Sequence, residues 1–389
     1  MPILKRPGVY FDEDVNYELV GEGSKIPVFI GVTGNSAIPN KYLVDGTQIN
    51  KYTTWDEVNK STSQGGIGVY TPDTTNELSK TLYEFFQEGA IETVEDIGVP
   101  YIYVIDVGTG TASSAWTTAA KTAKTKRDAI IEAAVGVEKV EDVTPIALVK
   151  ALQASIITET HSLNLRNLFV RLPTDTVTEL VTYTNDTNNL RLKRLGLCEK
   201  HLFGKTIARI CCTPYYKEPG FYTYRSVEPG EFIERTAEEE LLLQNAGIIF
   251  NHDEQPGSIV YPKINLCTCS TFALSQRPAD SLFHLRFNAD HLLRDVFLAL
   301  YPQIKENESA SNFNYLQTQI DDVIAEEVRQ GYMIKHNPKT GEGTYLTIRE
   351  SDYNPYDVIV SGQIQGVNST VAIDVQATLN IATLKVVEE

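Results

Sequence analysis

Ile26-Pro-Val-Phe-Ile-Gly-Val32 is a short, nearly continuous apolar run with glycine close to its end. It reads as a strand buried on both faces, the pattern of a parallel sheet covered by helices. Tyr101-Ile-Tyr-Val-Ile-Asp-Val107 and Asn167-Leu-Phe-Val-Arg-Leu-Pro173 repeat the pattern, and Thr206 to Cys212 reads as a further strand. Between these runs the spacing turns helical. Residues 76–89 place Leu78, Leu82, Phe85 and Phe86 on one side with Gly89 as a stop. Helical patterns also cover about 117–134, Pro145 to about Glu159, and 175–184, while the Gly/Asn/Pro-rich stretch 34–40 is a loop. Strands alternating with helices predict an α/β domain over residues 25–265, with a largely parallel sheet.

On the N-terminal side of that domain, residues 1–24 read as an arm. Pro7-Gly8 breaks any helix, and Val9, Phe11, Val15, Tyr17 and Leu19 then fall on odd positions with Asp12, Asp14, Asn16 and Glu18 on even ones. Gly21-Glu-Gly-Ser24 gives the arm a flexible root. At the far end, residues 371–389 form a second arm. Val371, Ile373, Val375, Ala377, Leu379 and Ile381 alternate with Asp374, Gln376, Thr378 and Asn380. Alternation of this kind puts the apolar side chains on one face of an extended chain. A terminal strand with open edges invites pairing with another molecule. The alternative is that each strand pairs within its own subunit.

Between the α/β domain and the second arm, residues 266–370 read as a small α+β domain. Phe287, Leu292, Val296 and Leu300 make one helical stripe, and Phe313, Leu316, Ile320, Val323 and Ile324 a second that ends at Gly331. A Gly-rich turn at 338–343 and the strand Val358-Ile-Val360 follow.

The chain has 389 residues, 42% of them hydrophobic and 22% charged, enough to bury a core and far from a disordered composition. Its 34 basic and 51 acidic residues leave a net charge of −17, which repels phosphate backbones and anionic lipid. Neither nucleic acid nor membrane insertion is expected. The N-terminus lacks the pattern of a signal peptide, so synthesis and assembly in the host cytoplasm are expected. The five cysteines, Cys198, Cys211, Cys212, Cys267 and Cys269, read as reduced core residues.

With this order of elements in view, the chain resembles contractile tail sheath proteins, from phages or phage-derived injection particles. Pro7-Gly8-Val9-Tyr10, Val28-Phe-Ile-Gly31, Ala246-Gly-Ile-Ile249 and His291-Leu-Leu-Arg-Asp-Val-Phe297 carry the resemblance. Gly331-Tyr332-Met333 and Tyr356-Asp-Val-Ile-Val360 complete it. The resemblance implies an outer α/β domain of subtilisin-like fold, a small inner α+β domain, and arms that reach into neighbouring subunits. There they complete a sheet with the receiving subunit's own C-terminal strands, which puts Val358 and Val360 on the receiving strand. It also implies hexameric rings stacked in a helical sheath around a tail tube, with baseplate and tail terminator as partners, in a virion or tail-like particle such as a bacteriocin or injection system. Contraction of that sheath drives the tube through a target cell envelope. Gly21, Gly23, Gly362 and Gly366 are the expected hinges.

The rival reading is a soluble α/β hydrolase or ligand-binding enzyme. No Gly-x-Ser-x-Gly elbow occurs, and Ser36 in Gly34-Asn-Ser-Ala-Ile38 lacks the second glycine. Gly204-Lys205-Thr206 has the tail of a phosphate-binding loop, but Glu199 stands where the leading glycine belongs, and the segment reads into a strand. Cys267-Thr-Cys269, with Cys211, Cys212 and His252, is a candidate metal set with the wrong spacing for structural zinc, and packing of small thiols is the preferred account. The acidic runs Glu138 to Asp142 and Glu238 to Glu240 read as solvated surface. A non-enzymatic subunit with no catalytic residue, cofactor or metal is expected.

Overall fold

A computed structural model describes residues 25–34, 42–44, 47–71, 76–89, 98–126, 128–160, 165–185, 190–221, 223–224, 233–252, 263–275, 281–300, 310–350, 358–366, 375–380 and 383–388. The first part of the chain builds β1 (Ile26–Gly31), β2 (Tyr42–Val44), β3 (Thr47–Tyr52), β4 (Ile102–Asp106), β5 (Ala129–Val135), β6 (Asn167–Arg171), β7 (Leu195–Cys198) and β8 (Ile248–Ile249). They form one eight-stranded sheet in the order β2-β3-β4-β1-β5-β6-β7-β8. All pairs from β4 to β8 are parallel, and the β2–β3 hairpin adds an antiparallel edge to β4.

The helices of this body are α1 (Trp55–Val58), α2 (Glu77–Gly89), α3 (Ser113–Ala123), α4 (Pro145–Thr160), α5 (Val177–Thr182), α6 (Phe203–Cys212) and α7 (Ala237–Ala246). They cover both sides of the sheet. Val28 and Ile30 of β1 pack with Trp116, Leu148, Leu152 and Leu243 on one face. Phe29 packs with Leu82, Phe85, Phe203 and Ile207 on the other. Every residue of β1 is buried, which is why its sequence shows no alternation.

Two elements differ from the sequence reading. Residues 117–134 are not one helix: α3 ends at Ala123 and Ala129–Val135 is β5, central in the sheet and wholly buried. Its alanines favour a helix in isolation, and burial between β1 and β6 overrides that preference. Glu132, inside this strand, is matched by Arg166 at 2.8 Å. Likewise Thr206 to Cys212 is not a strand but part of α6, all ten of whose residues are buried. A short apolar run is ambiguous between strand and buried helix. Here the signal was Lys205 and Arg209, four residues apart as on one side of a helix. Arg209 lies 3.6 Å from Glu88, and the Gly204 amide donates to Glu84 at 3.0 Å. A Cβ on Gly204 would sit 2.0 Å from the Thr81 carbonyl oxygen, so this glycine serves a close helix crossing rather than a phosphate.

The acidic runs have helix-capping partners. Asp142 accepts from the Ser113 amide and hydroxyl at the start of α3, and those bonds hold its pKa below the ordinary value. Glu239 closes a capping box with Thr236 at the start of α7. Two short strands, β9 (Asn251–His252) and β10 (Lys263–Ile264), pair beside the sheet.

After residue 265 the chain continues to serve the same core before starting another. Cys267, Cys269, Phe283 and Phe287 belong to the cluster on the α2/α6 face. The last two lie on α8 (Phe283–Leu300). Further along the same helix, Leu292 and Val296 pack with Ile320 of α9 (Ala310–Arg329), Met333 and Leu346 in a separate, smaller core. One helix thus spans both cores. Arg194, just ahead of β7, clamps it with two charge-assisted bonds to Asp290, at 2.6 and 2.7 Å. Breaking this partly desolvated pair with Arg194→Ala is expected to cost about 3 kcal/mol, measured by urea unfolding.

Candidate assembly interface

The smaller core carries a hairpin of β11 (Tyr345–Glu350) and β12 (Val358–Gln363), paired antiparallel with Leu346 opposite Gly362 and Ile348 opposite Val360. On α9, Gln317 reaches the backbone of β11. Its Nε2 donates to the Leu346 carbonyl at 2.9 Å, and its Oε1 accepts from the Ile348 amide at 3.1 Å. A single side-chain amide thus occupies the outer edge of β11 as a neighbouring strand would.

The same bonds fix the hydrogen-bond phase of the hairpin. Because Leu346 and Ile348 turn their main-chain groups away from β12, their partners Gly362 and Val360 turn theirs away from β11. Val358, opposite Glu350, follows in the same phase. Among the described residues β12 pairs with no other strand. Among the described residues the hairpin therefore has one edge plugged by Gln317 and one edge open, the latter being the one with Val358 and Val360.

Gly362 sits inside this ladder, where a Cβ would lie 2.1 Å from the Tyr345 carbonyl oxygen. Its role in the structure is close strand approach, not a joint. Gly366 is also fixed. It bridges to Met333, and the Gln365 and Thr344 main and side chains interlock beside it. Asn288 of α8 donates to the Tyr332 carbonyl at 2.6 Å and lies against Gly366. The chain at Gly366 therefore has a built anchor.

The chain at Lys25, ahead of β1, has one as well. Lys25 is 1% exposed. Its Nζ donates to the Ile210 carbonyl at 3.0 Å and to that of Thr213, at the C-terminal end of α6. It also lies over the rings of Tyr215 and Phe287, at 5.3 and 5.1 Å. Phe287 and Asn288 are consecutive on α8, so Lys25 and Gly366 pack against the same helical turn. Residues 1–24, with Pro7, Gly8, Val9, Phe11, Val15, Tyr17, Gly21 and Gly23, lie outside the described residues, as do Val371, Ile373 and Ile381.

Val375 and Leu379 fall on β13 (Val375–Asn380), which pairs antiparallel with β14 (Thr383–Glu388). The sequence reading missed β14, whose signal was the alternation of Leu384 and Val386 with Lys385. The register sets Leu379 opposite Leu384 and Ala377 opposite Val386. Among the described residues this hairpin pairs with no other strand. Residues 375–380 are thus one half of a two-stranded unit rather than a single strand.

The candidates for chemistry are sealed into the cores. His284 Nδ1 lies 2.5 Å from Glu218, but the two side chains are 1% and 0% exposed, out of reach of a substrate. Glu199 accepts from the Asn251 amide and pairs with Arg235, a structural hub rather than part of a phosphate loop. All five cysteines are free and buried, and burial pushes their thiols up. Among the described residues no cysteine joins a set with metal-ligand geometry.

Neither a protein-family model nor a curated protein matches the sequence. Solved structures do, over nearly the whole chain. The PVC sheath complex of an extracellular contractile injection system, in its contracted state, matches 98% of this chain and 99% of its own, with a TM-score of 0.65 and 12% identity. The contracted helical sheath of the anti-feeding prophage matches 97% and 100%, with a TM-score of 0.62 and 13% identity. The sheath tail protein from Listeria innocua matches 90% and 93%, with a TM-score of 0.58 and 7% identity. The fold is that of contractile tail sheath proteins. The shared sheath fold includes the mostly parallel central sheet with its flanking helices, and among the described residues no helix is long and apolar enough to cross a membrane.

Two predictions follow from the anchors and the edge. Burial lowers the Lys25 pKa from 10.5 to about 8. Between those values the unfolded chain binds more protons, so stability rises with pH. Wild type should therefore gain up to about 3 kcal/mol on Lys25→Met from pH 8 to 10.5, read by urea titrations of both proteins. Gln317→Ala strands one donor and one acceptor of β11 and should cost about 1–2 kcal/mol. Light scattering should also show it associating more readily, since it opens a second strand edge.

Proposed function

We propose that the chain is a structural, non-enzymatic subunit of a contractile tail sheath, polymerising around a tail tube by strand exchange between subunits. The observation that carries this reading is the hairpin with one open edge, on a body where Lys25 and Gly366 pack on the same turn of α8. In this reading the α/β body is the outer, subtilisin-like domain and the unit built on α9, β11 and β12 is the inner one. The first arm (Pro7, Gly8, Val9, Phe11, Val15, Tyr17) and the second (Val371, Ile373, Val375, Leu379, Ile381) engage the inner units of neighbouring copies. Val358 and Val360 receive an incoming strand at the open edge.

Strand addition gives main-chain hydrogen bonds for affinity and alternate side-chain pockets for register. At a net 0.5–1.5 kcal/mol each, about six such bonds contribute several kcal/mol before apolar burial. That attraction holds together copies that each carry a charge of −17. A contact of this head-to-tail kind propagates as a helix when it does not close into a ring. Hexameric rings in helical register, with a baseplate and a tail terminator at the ends, complete the assembly. The matched structures support this setting, being a helical sheath, a sheath complex and a baseplate. The particle forms in the host cytoplasm and drives its tube through a target cell envelope when two packings of rigid subunits interchange. Gly21 and Gly23 give the first arm its swing, and the chain beyond Gly366 gives the second its own.

Deleting residues 1–20 is expected to leave a soluble, folded subunit that no longer polymerises. Val360→Pro removes an outward amide while leaving the β11 ladder intact, and should block assembly with unchanged circular dichroism. Tubes of normal length from either variant, seen by negative-stain microscopy, overturn the arm and edge roles.

A further inference from the structure

One turn beyond the arm anchors, α8 and α9 bring together three side chains that the sheath reading does not use. His291 and Asp295 are four residues apart on one face of α8, and Glu327 faces them from α9. His291 Nδ1 lies 3.4 Å from Asp295 Oδ2 and 3.3 Å from Glu327 Oε1. The three ligand atoms all fall within 4.8 Å of one another.

Hydrogen bonding leaves part of this cluster unsatisfied. Glu327 is 4% exposed, and its Oε2 has no hydrogen-bond partner despite being shut off from solvent. His291 Nδ1 is likewise buried without an aligned partner. Two carboxylates that share a site repel each other. The site calls for positive charge. Arg294, beside Asp295, donates a guanidinium nitrogen to the Leu165 carbonyl at 3.4 Å.

The distances suit a first-row metal ion. Zinc bonds of about 2.0–2.1 Å to nitrogen and oxygen, set tetrahedrally, place neighbouring ligand atoms about 3.3–3.4 Å apart. An imidazole among the donors disfavours calcium and magnesium, which take oxygen ligands. We propose that His291 Nδ1, Asp295 and Glu327 form a zinc-type divalent metal site that staples α8 to α9, with water in the fourth position. His291 is 23% and Asp295 38% exposed, so the ion has a path from solvent and a face for that water. The Tyr215 ring, 4.5 Å from the His291 ring, holds the imidazole in place and is the ring beneath Lys25. The staple therefore sits beside the turn of α8 that packs against Lys25 and Gly366, and fixes the angle between the helices that carry the hairpin.

The test uses the full chain in whatever assembly state it adopts. After chelator treatment and exchange into zinc, elemental analysis should give one zinc per chain, and the melting temperature should rise relative to chelated protein. Calcium and magnesium should produce no rise. In competition with a chromophoric chelator, His291→Ala and Glu327→Gln should each bind zinc at least about tenfold more weakly. Glu327→Gln keeps the side-chain shape, so its chelated melting temperature reports whether the fold survives. Cobalt(II) should give visible absorption bands in wild type that His291→Ala loses. Failure of wild type to retain stoichiometric zinc, or wild-type affinity in both variants, overturns the site and leaves an ion-paired triad.

Discussion

The structure depends on α8 belonging to two cores at once. Phe283 and Phe287 lie in the apolar layer under the sheet, and Leu292 and Val296 lie in the small core with Ile320 and Leu346. The bidentate Arg194–Asp290 pair falls between these contacts and holds the helix to the sheet by groups already largely out of water. A rotation of the small unit against the body must therefore turn this helix, repack two aromatic rings or break a desolvated ion pair. Rigid-body behaviour of the subunit follows from that cost.

The same helix gives the anchors their meaning. Lys25 closes over Phe287, and the chain around Gly366 closes over Asn288. The open edge of β12 is a product of the same packing. Gln317 reaches β11 only because α9 lies across the hairpin, and that single amide makes the two edges inequivalent.

Much of the fold was legible in residues that bury on both sides. Ile26–Gly31, Ile102–Asp106 and Asn167–Arg171 read as strands because covered strands are apolar throughout. The stripes of α2, α8 and α9 were legible because each helix keeps a polar face. Ala129–Val135 and Phe203–Cys212 were misread for one reason: complete burial removes the periodicity that separates strand from helix. For the candidate interface, the alternation in residues 371–381 and the strand at Val358 were visible. The β13–β14 pairing was not, since register depends on which chain lies alongside.

By itself the sequence determined where the chain is extended, where it coils, and that its ends carry alternating apolar faces, because these are local properties of successive side chains. Tertiary structure alone decided that one edge of the hairpin is closed by Gln317, that Lys25 and Gly366 pack on one turn of α8, and that His291 and Asp295 meet Glu327. Each of these joins residues tens to hundreds of positions apart. Only packing, which brings distant backbone into contact and removes water from between them, can make such a pairing.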